Sequence, residues 1–140
     1  MTILQPSGWP RPKGFSCGIA AAGTVIAVSG QIGWDESGHF PGIAFVDQVA
    51  QALRNVMTVL REANAGPEHL VRLTWYITDK SAYLSGQAAI GRAYREIVGG
   101  HYPAMSVVVV AGLLEALATV EIEATAILPL PAGTKAPDGD

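Results

Sequence analysis

The sequence predicts an α+β fold: one mixed β-sheet with two helices packed on one of its faces. Three observations carry this. From Val46 to Leu60 the apolar residues recur at helical spacing. The segments Leu70 to Ile77 and Val120 to Ile127 alternate apolar and polar side chains, and Ala104 to Val110 is an almost unbroken β-branched run. In order, the elements read β-β-α-β-α-β-β, too few and too interleaved for two separate layers of one type.

Residues 1–13, with Pro6, Gly8, Pro10 and Pro12, read as an irregular lead-in. Phe15 to Ala21 and Thr24 to Ser29 are short apolar runs on either side of Ala22-Gly23, a pattern that predicts a hairpin of two strands covered on both faces. Gly30, Gly33, Gly38, Pro41 and Gly42 then break the chain into a long loop carrying Trp34 and Asp35. Val46, Val49, Ala50, Leu53, Val56, Met57 and Leu60 form one helical stripe, and Gly66-Pro67 is the predicted stop.

In Leu70 to Ile77 the alternation predicts Val71, Leu73, Trp75 and Ile77 on one face, with Arg72, Thr74 and Tyr76 on the other. A second helix, capped by Ser81, runs through Tyr83, Leu84, Ile90, Tyr94, Ile97 and Val98 to Gly99-Gly100. Ala104 to Val110 suits a strand buried on both faces. In the last strand Val120, Ile122, Ala124 and Ala126 stand opposite Glu121, Glu123, Thr125 and Ile127, and residues 129–140 read as a flexible tail.

The 140 residues suit one domain. Charged residues make up 15% of the chain where about 25% is usual, and 49% is apolar with a mean hydropathy of +0.29. So small a domain would have to leave apolar area exposed, which predicts an oligomer, most simply a symmetric one. The net charge of −3, with nine scattered Lys and Arg, offers no basic stripe for nucleic acid. The longest apolar run, Val107 to Leu114, is far short of the roughly 20 residues a spanning helix needs. With no visible signal peptide and one cysteine, Cys17, the expected location is the cytoplasm.

Six short segments, in order and on matching elements, carry a resemblance. They are Gly14-Phe15-Ser16, Val28-Ser29-Gly30-Gln31, Gln48 with Ala52-Leu53-Arg54-Asn55-Val56, Thr74-Trp75-Tyr76-Ile77-Thr78-Asp79, Tyr102-Pro103-Ala104 and Val120-Glu121-Ile122-Glu123-Ala124. Across roughly residues 14 to 128 the chain resembles the Rid (YjgF/YER057c/UK114) family. That resemblance implies a chorismate-mutase-like α+β domain, assembled as a homotrimer around a central barrel with intersubunit clefts. It implies no cofactor and no metal. Familiar members hydrolyse enamines and imines such as 2-aminoacrylate to ketoacids and ammonia; some carry an older endoribonuclease label, which an acidic chain does little to support.

Two departures stand out. Active deaminases of the family place an arginine after the Pro-Ala pair to grip a carboxylate; here that residue is Met105, a weak acceptor that cannot hold an anion. The tyrosine common in the first motif is Phe15. Glu121 matches the family's cleft carboxylate, able to orient or deprotonate a water for hydrolytic deamination. The implied substrate-binding set is Phe15, Ser29, Trp34, Met105, Ser106 and Val107, a greasier pocket suited to a more apolar or aromatic ligand. The alternative is a non-catalytic trimeric ligand binder, or a chaperone-like protein, that kept the fold after losing the arginine.

Each of these residues also has a plainer reading: Glu121 as a surface strand carboxylate, Ser29-Gly30-Gln31 as a turn, Met105 and Trp34 as packing. Cys17 reads as a small buried hydrophobe with no neighbouring His or Lys in sequence to form a thiolate. His39, His69 and His101 lack metal-ligand spacing.

Overall fold

The computed structural model describes residues 1–133. Its elements are β1 (Thr2–Leu4), β2 (Gly18–Ala20), β3 (Thr24–Ile32), α1 (Phe45–Glu62), β4 (Leu70–Ile77), α2 (Lys80–Ser85), α3 (Gln87–Ile97), β5 (Ala104–Val109) and β6 (Val120–Leu128), with a single 3-10 turn at Pro67–His69. The main sheet has the order β3-β6-β4-β5; β6 runs antiparallel to both neighbours and β4 pairs in parallel with β5. Both long helices cover one face of it. This is the mixed α+β architecture that the alternation and the helical stripe predict.

Of the predicted stripe on α1, Val49, Leu53, Val56, Met57 and Leu60 are buried while Val46 and Ala50 are only half-buried; the buried face takes in Gln48 and Ala52 instead. Its apolar members meet Leu73, Trp75, Ile77, Val120, Ile122 and Ala126 from the sheet in one continuous core. The helix ends earlier than Gly66-Pro67. Asn64 takes φ 54°, the Asn64 N–H bonds the Arg61 carbonyl and the Ala65 N–H bonds the Leu60 carbonyl, each at 3.0 Å. That is a Schellman stop with asparagine where glycine is usual, tolerated because a short amide side chain visits the left-handed region.

Several expectations need correction. β2 pairs with β1, not β3, so the Ala22-Gly23 hairpin does not form and the lead-in contains a strand. β3 continues past Ser29 to Ile32 through an irregularity between Val28 and Gln31, and its outer face is exposed rather than covered. In β4 the inward position belongs to Leu70 and not Val71, since a register shift between Leu70 and Arg72 moves the parity by one. Asp79, not Ser81, caps the second helix, accepting from the Ala82 N–H at 3.0 Å, and Gly86 divides that helix into α2 and α3. β5 is an edge strand, half-buried to exposed, instead of a strand covered on both faces, and Cys17, expected to be buried, is exposed on the segment leading into β2. Of the expected tail, residues 134–140 lie outside the described residues.

Among the described residues no helix is long and apolar enough to cross a membrane. The sheet face away from the helices stays open within one chain: Val25, Arg72 and Val108 are exposed, and Tyr76, Glu121, Glu123 and Thr125 are half-buried.

Candidate functional site

Strand parity assigns the predicted site residues to two sides of the sheet. On β5, Met105 lies opposite Leu73 and Val107 opposite Trp75, so both face the helices. On β6, Glu121 lies opposite Tyr76 on β4 and faces away from them. Ser106, whose Oγ is 3.4 Å from the Arg72 guanidinium, shares that outer side.

On the helix side, Met105 and Val107 form one wall of a groove of about 570 Å³ at the β5 edge, with Phe15, Trp75, Tyr83, Tyr94 and Tyr102 around it. Phe15 is held there by its neighbour. Ser16 forms an isolated parallel bridge to Ala104, donates its N–H to the Pro103 carbonyl at 3.0 Å and its hydroxyl to the Tyr102 carbonyl at 2.6 Å. Tyr94 and Tyr102 stack with centroids 5.2 Å apart, and the Tyr94 hydroxyl donates to the His101 carbonyl at 2.7 Å. Burial pushes the Tyr94 phenol well above its usual range, and that of Tyr83 upward as well. Neither is a proton donor at neutral pH by ionisation. Trp75 meets Tyr83 edge-on, its indole N–H buried without a hydrogen-bond partner.

On the outer side a polar cluster surrounds Glu121. Gly30 faces it so closely that a Cβ there would overlap the carboxylate. The Tyr76 hydroxyl donates to Glu123 Oε1 at 2.7 Å, and that hydrogen bond, with the nearby carboxylates, raises the Tyr76 pKa. Ser29, at the β3 irregularity, accepts from the Gln31 amide on both its carbonyl and its hydroxyl, at 3.1 and 3.2 Å.

Trp34 belongs to neither group. It lines a separate open cleft of about 1000 Å³ between the 34–38 loop and α1, beside Arg54, Asn55 and Arg61. Asn55 donates to the Ile32 and Trp34 carbonyls at 3.1 and 2.7 Å and so fixes that loop. Within one chain, then, Phe15, Met105 and Val107 come together, Glu121 and Ser106 lie across the sheet from them, and Trp34 stands apart.

The sequence reading overlooks the polar side chains of the groove: Lys13, Gln87 and Arg95. The available signal is Gln87, Gly91 and Arg95 at successive helical turns, with a glycine in the middle of a helix. Gln48, named there only as part of a motif, is fully buried; its amide donates to the Ile43 and Leu117 carbonyls and accepts from the Thr119 N–H. That side chain ties the 113–119 loop to α1. His69 Nδ1 accepts from the Gly66 N–H and His101 Nε2 meets the Leu70 carbonyl, so both rings serve the backbone. Among the described residues no three His, Cys, Asp or Glu side chains gather as a metal site.

Comparison with known proteins supports the fold and gives the family. The family model described as Endoribonuclease L-PSP matches residues 10–128. A RutC family protein of Synechocystis is 34% identical over 132 residues, 92% of this chain and 98% of the relative. Among solved structures, the conserved Rid family protein YyfB of Yersinia pestis superposes with a TM-score of 0.80 at 31% identity, covering 91% of this chain and 98% of that one. TdcF of E. coli, solved with bound serine, gives 0.64 at 28% identity over 91% and 99%. With a matching order of motifs, a shared sheet and these likenesses along nearly the whole described chain, the protein belongs to the Endoribonuclease L-PSP family, that of the Rid or YjgF/YER057c/UK114 proteins.

Proposed function

We propose that this protein is a cofactor-independent hydrolase of the enamine/imine deaminase type, working in the cytoplasm as a homotrimer on a more apolar substrate than 2-aminoacrylate. The observation that supports it most is the division of the site: the Phe15–Met105 groove and Glu121 lie on opposite sides of one sheet. A second copy of the chain, laid against the open face, is the direct way to bring a carboxylate to a groove. The substrate would sit between subunits.

In the reaction an enamine first tautomerises to its imine. Glu121 takes a proton from water as the oxygen attacks the imine carbon, and returns it to nitrogen, so that the carbinolamine collapses to a carbonyl compound and ammonia. Imine and water are consumed; ketone or ketoacid and ammonia leave. TdcF, a relative with bound serine, is consistent with a small amino-acid-derived ligand in such proteins. Ser29 and Ser106 would contribute polar contacts, Phe15, Met105 and Val107 apolar ones, and Trp34 an outer wall only if a neighbour brings its loop close.

A second reading, a non-catalytic trimeric binder or chaperone-like protein, is favoured by one feature: Met105 stands where the carboxylate-gripping arginine is expected. Ammonia release from a panel of imines, formed in situ by an amino-acid oxidase, separates the two. Release that requires Glu121 supports the hydrolase; saturable binding without release on any member supports the binder. Light scattering that gives one subunit's mass would sink the shared site in both.

A further inference from the structure

The groove beside Met105 is lined by two cations, Lys13 and Arg95, and by no acid. Neither cation makes a hydrogen bond or ion pair among the described residues. Arg95 is exposed, yet its guanidinium lies along the helix, 3.5 Å from where a Cβ on Gly91 would stand. Helical side chains lean toward the N-terminus, so a residue four positions on covers the turn before it. Glycine in a helix interior is less favourable than alanine. What Gly91 supplies in return is a bare stretch of groove wall between the Gln87 amide and the Arg95 guanidinium, opposite Phe15 and Met105.

Resting on the proposed small-molecule function of this groove, we infer that Arg95 replaces the missing arginine as the anion anchor, and that the ligand is a carboxylate bearing an aromatic group. A guanidinium presents two parallel N–H donors to a carboxylate from α3 as well as it would from β5. Approaching from the helix instead of the strand, it leaves the strand side to Met105 and Val107, and the space between is walled by Phe15, Tyr83 and Tyr102. Rings stack and pack there, while a small polar side chain would leave that apolar wall wetted. Lys13, on an exposed segment, adds charge at the mouth without fixing orientation.

Calorimetric titration of the intact protein with phenylacetate, its neutral isostere phenylacetamide, and acetate tests this. Phenylacetate is expected to bind at least tenfold tighter than either of the others. Arg95→Gln should bring it down to the level of the amide, and Lys13→Gln should weaken it by less than threefold. Equal affinity for acid and amide, no binding of phenylacetate, or an Arg95→Gln variant that binds as the parent does would each overturn the inference. Because binding is read without turnover, acid selectivity with no ammonia release would sink the hydrolase reading and leave this one standing.

Discussion

Gly30 and Glu121 share one space: a side chain on the first would occupy the place of the second's carboxylate, with its Cβ 2.7 Å from the Glu121 Cδ. The glycine therefore sets where the carboxylate lies, not merely how the strand bends. Glu121 is flanked on its other side by Tyr76 of β4, so the gap at Gly30 is where the carboxylate has room.

Gly30→Ala should displace that carboxylate more than it harms the fold, because a flexible side chain can rotate away. We expect a stability loss of about 1 kcal/mol, near the low end for overpacking; on the proposed hydrolase reading, ammonia release should fall as it does in Glu121→Gln, roughly a hundredfold or more if that carboxylate is the general base. The double variant should be no worse than either alone. Additive losses in kinetic assays would separate the two residues.

Gly33→Ala offers the contrasting case. A Cβ there would stand 2.6 Å from the Cα of Gln48, and backbone cannot rotate away. Denaturant unfolding should show a loss of roughly 3 kcal/mol or more, at the top of the range for forced overpacking. A variant as stable as the parent would mean that the loop can shift freely away from α1.

Gln48→Leu removes an amide that satisfies two carbonyls and one N–H in the interior. Each orphaned group costs about 1–3 kcal/mol, so the loss should be several kcal/mol although volume and burial are nearly kept. Urea unfolding measures it.

Asn64→Gly should stabilise. The position has φ 54°, which glycine adopts at less steric cost, and the gain should be about 0.5–1 kcal/mol. A melting temperature unchanged or lowered would contradict it.

The Tyr76 pKa is raised chiefly by its hydrogen bond to Glu123, so Glu123→Gln should bring the phenol back toward its ordinary value. Ultraviolet titration of the parent against Tyr76→Phe isolates that group. The sign for stability follows: a group bound more tightly to its proton when folded contributes fully below the unfolded pKa near 10, and the contribution is lost as pH rises through the folded value. Tyr94, raised by burial, adds to the same alkaline loss.

Much of the fold is legible because it depends on period alone. The α1 stripe and the alternation in β6 state their own buried faces, and the structure buries most of those faces. What is not legible depends on partners distant in sequence. No residue near Leu70 announces that register shifts there, because the shift is a property of the β4–β6 pairing. β1 has three residues and no readable pattern; it exists because β2 is beside it. The site divides in the same way. Phe15, Met105 and Glu121 can be picked out by motif, but that Met105 faces the helices while Glu121 faces away follows only from the ladder register. Arg95 escapes motif reading because its effect requires a glycine one turn back and a strand across the groove.

The bridge from Ser16 to Ala104 also covers the start of the β5 edge, leaving the stretch toward the exposed Val108 and Val109 open. Trimming the chain to begin after that serine, as one would to remove an untidy leading segment, would bare the backbone donors and acceptors of a β-branched edge along its whole length. Such a shortened protein should precipitate or grow fibres at concentrations where the full chain stays clear, making the leading segment a built-in guard against runaway strand addition.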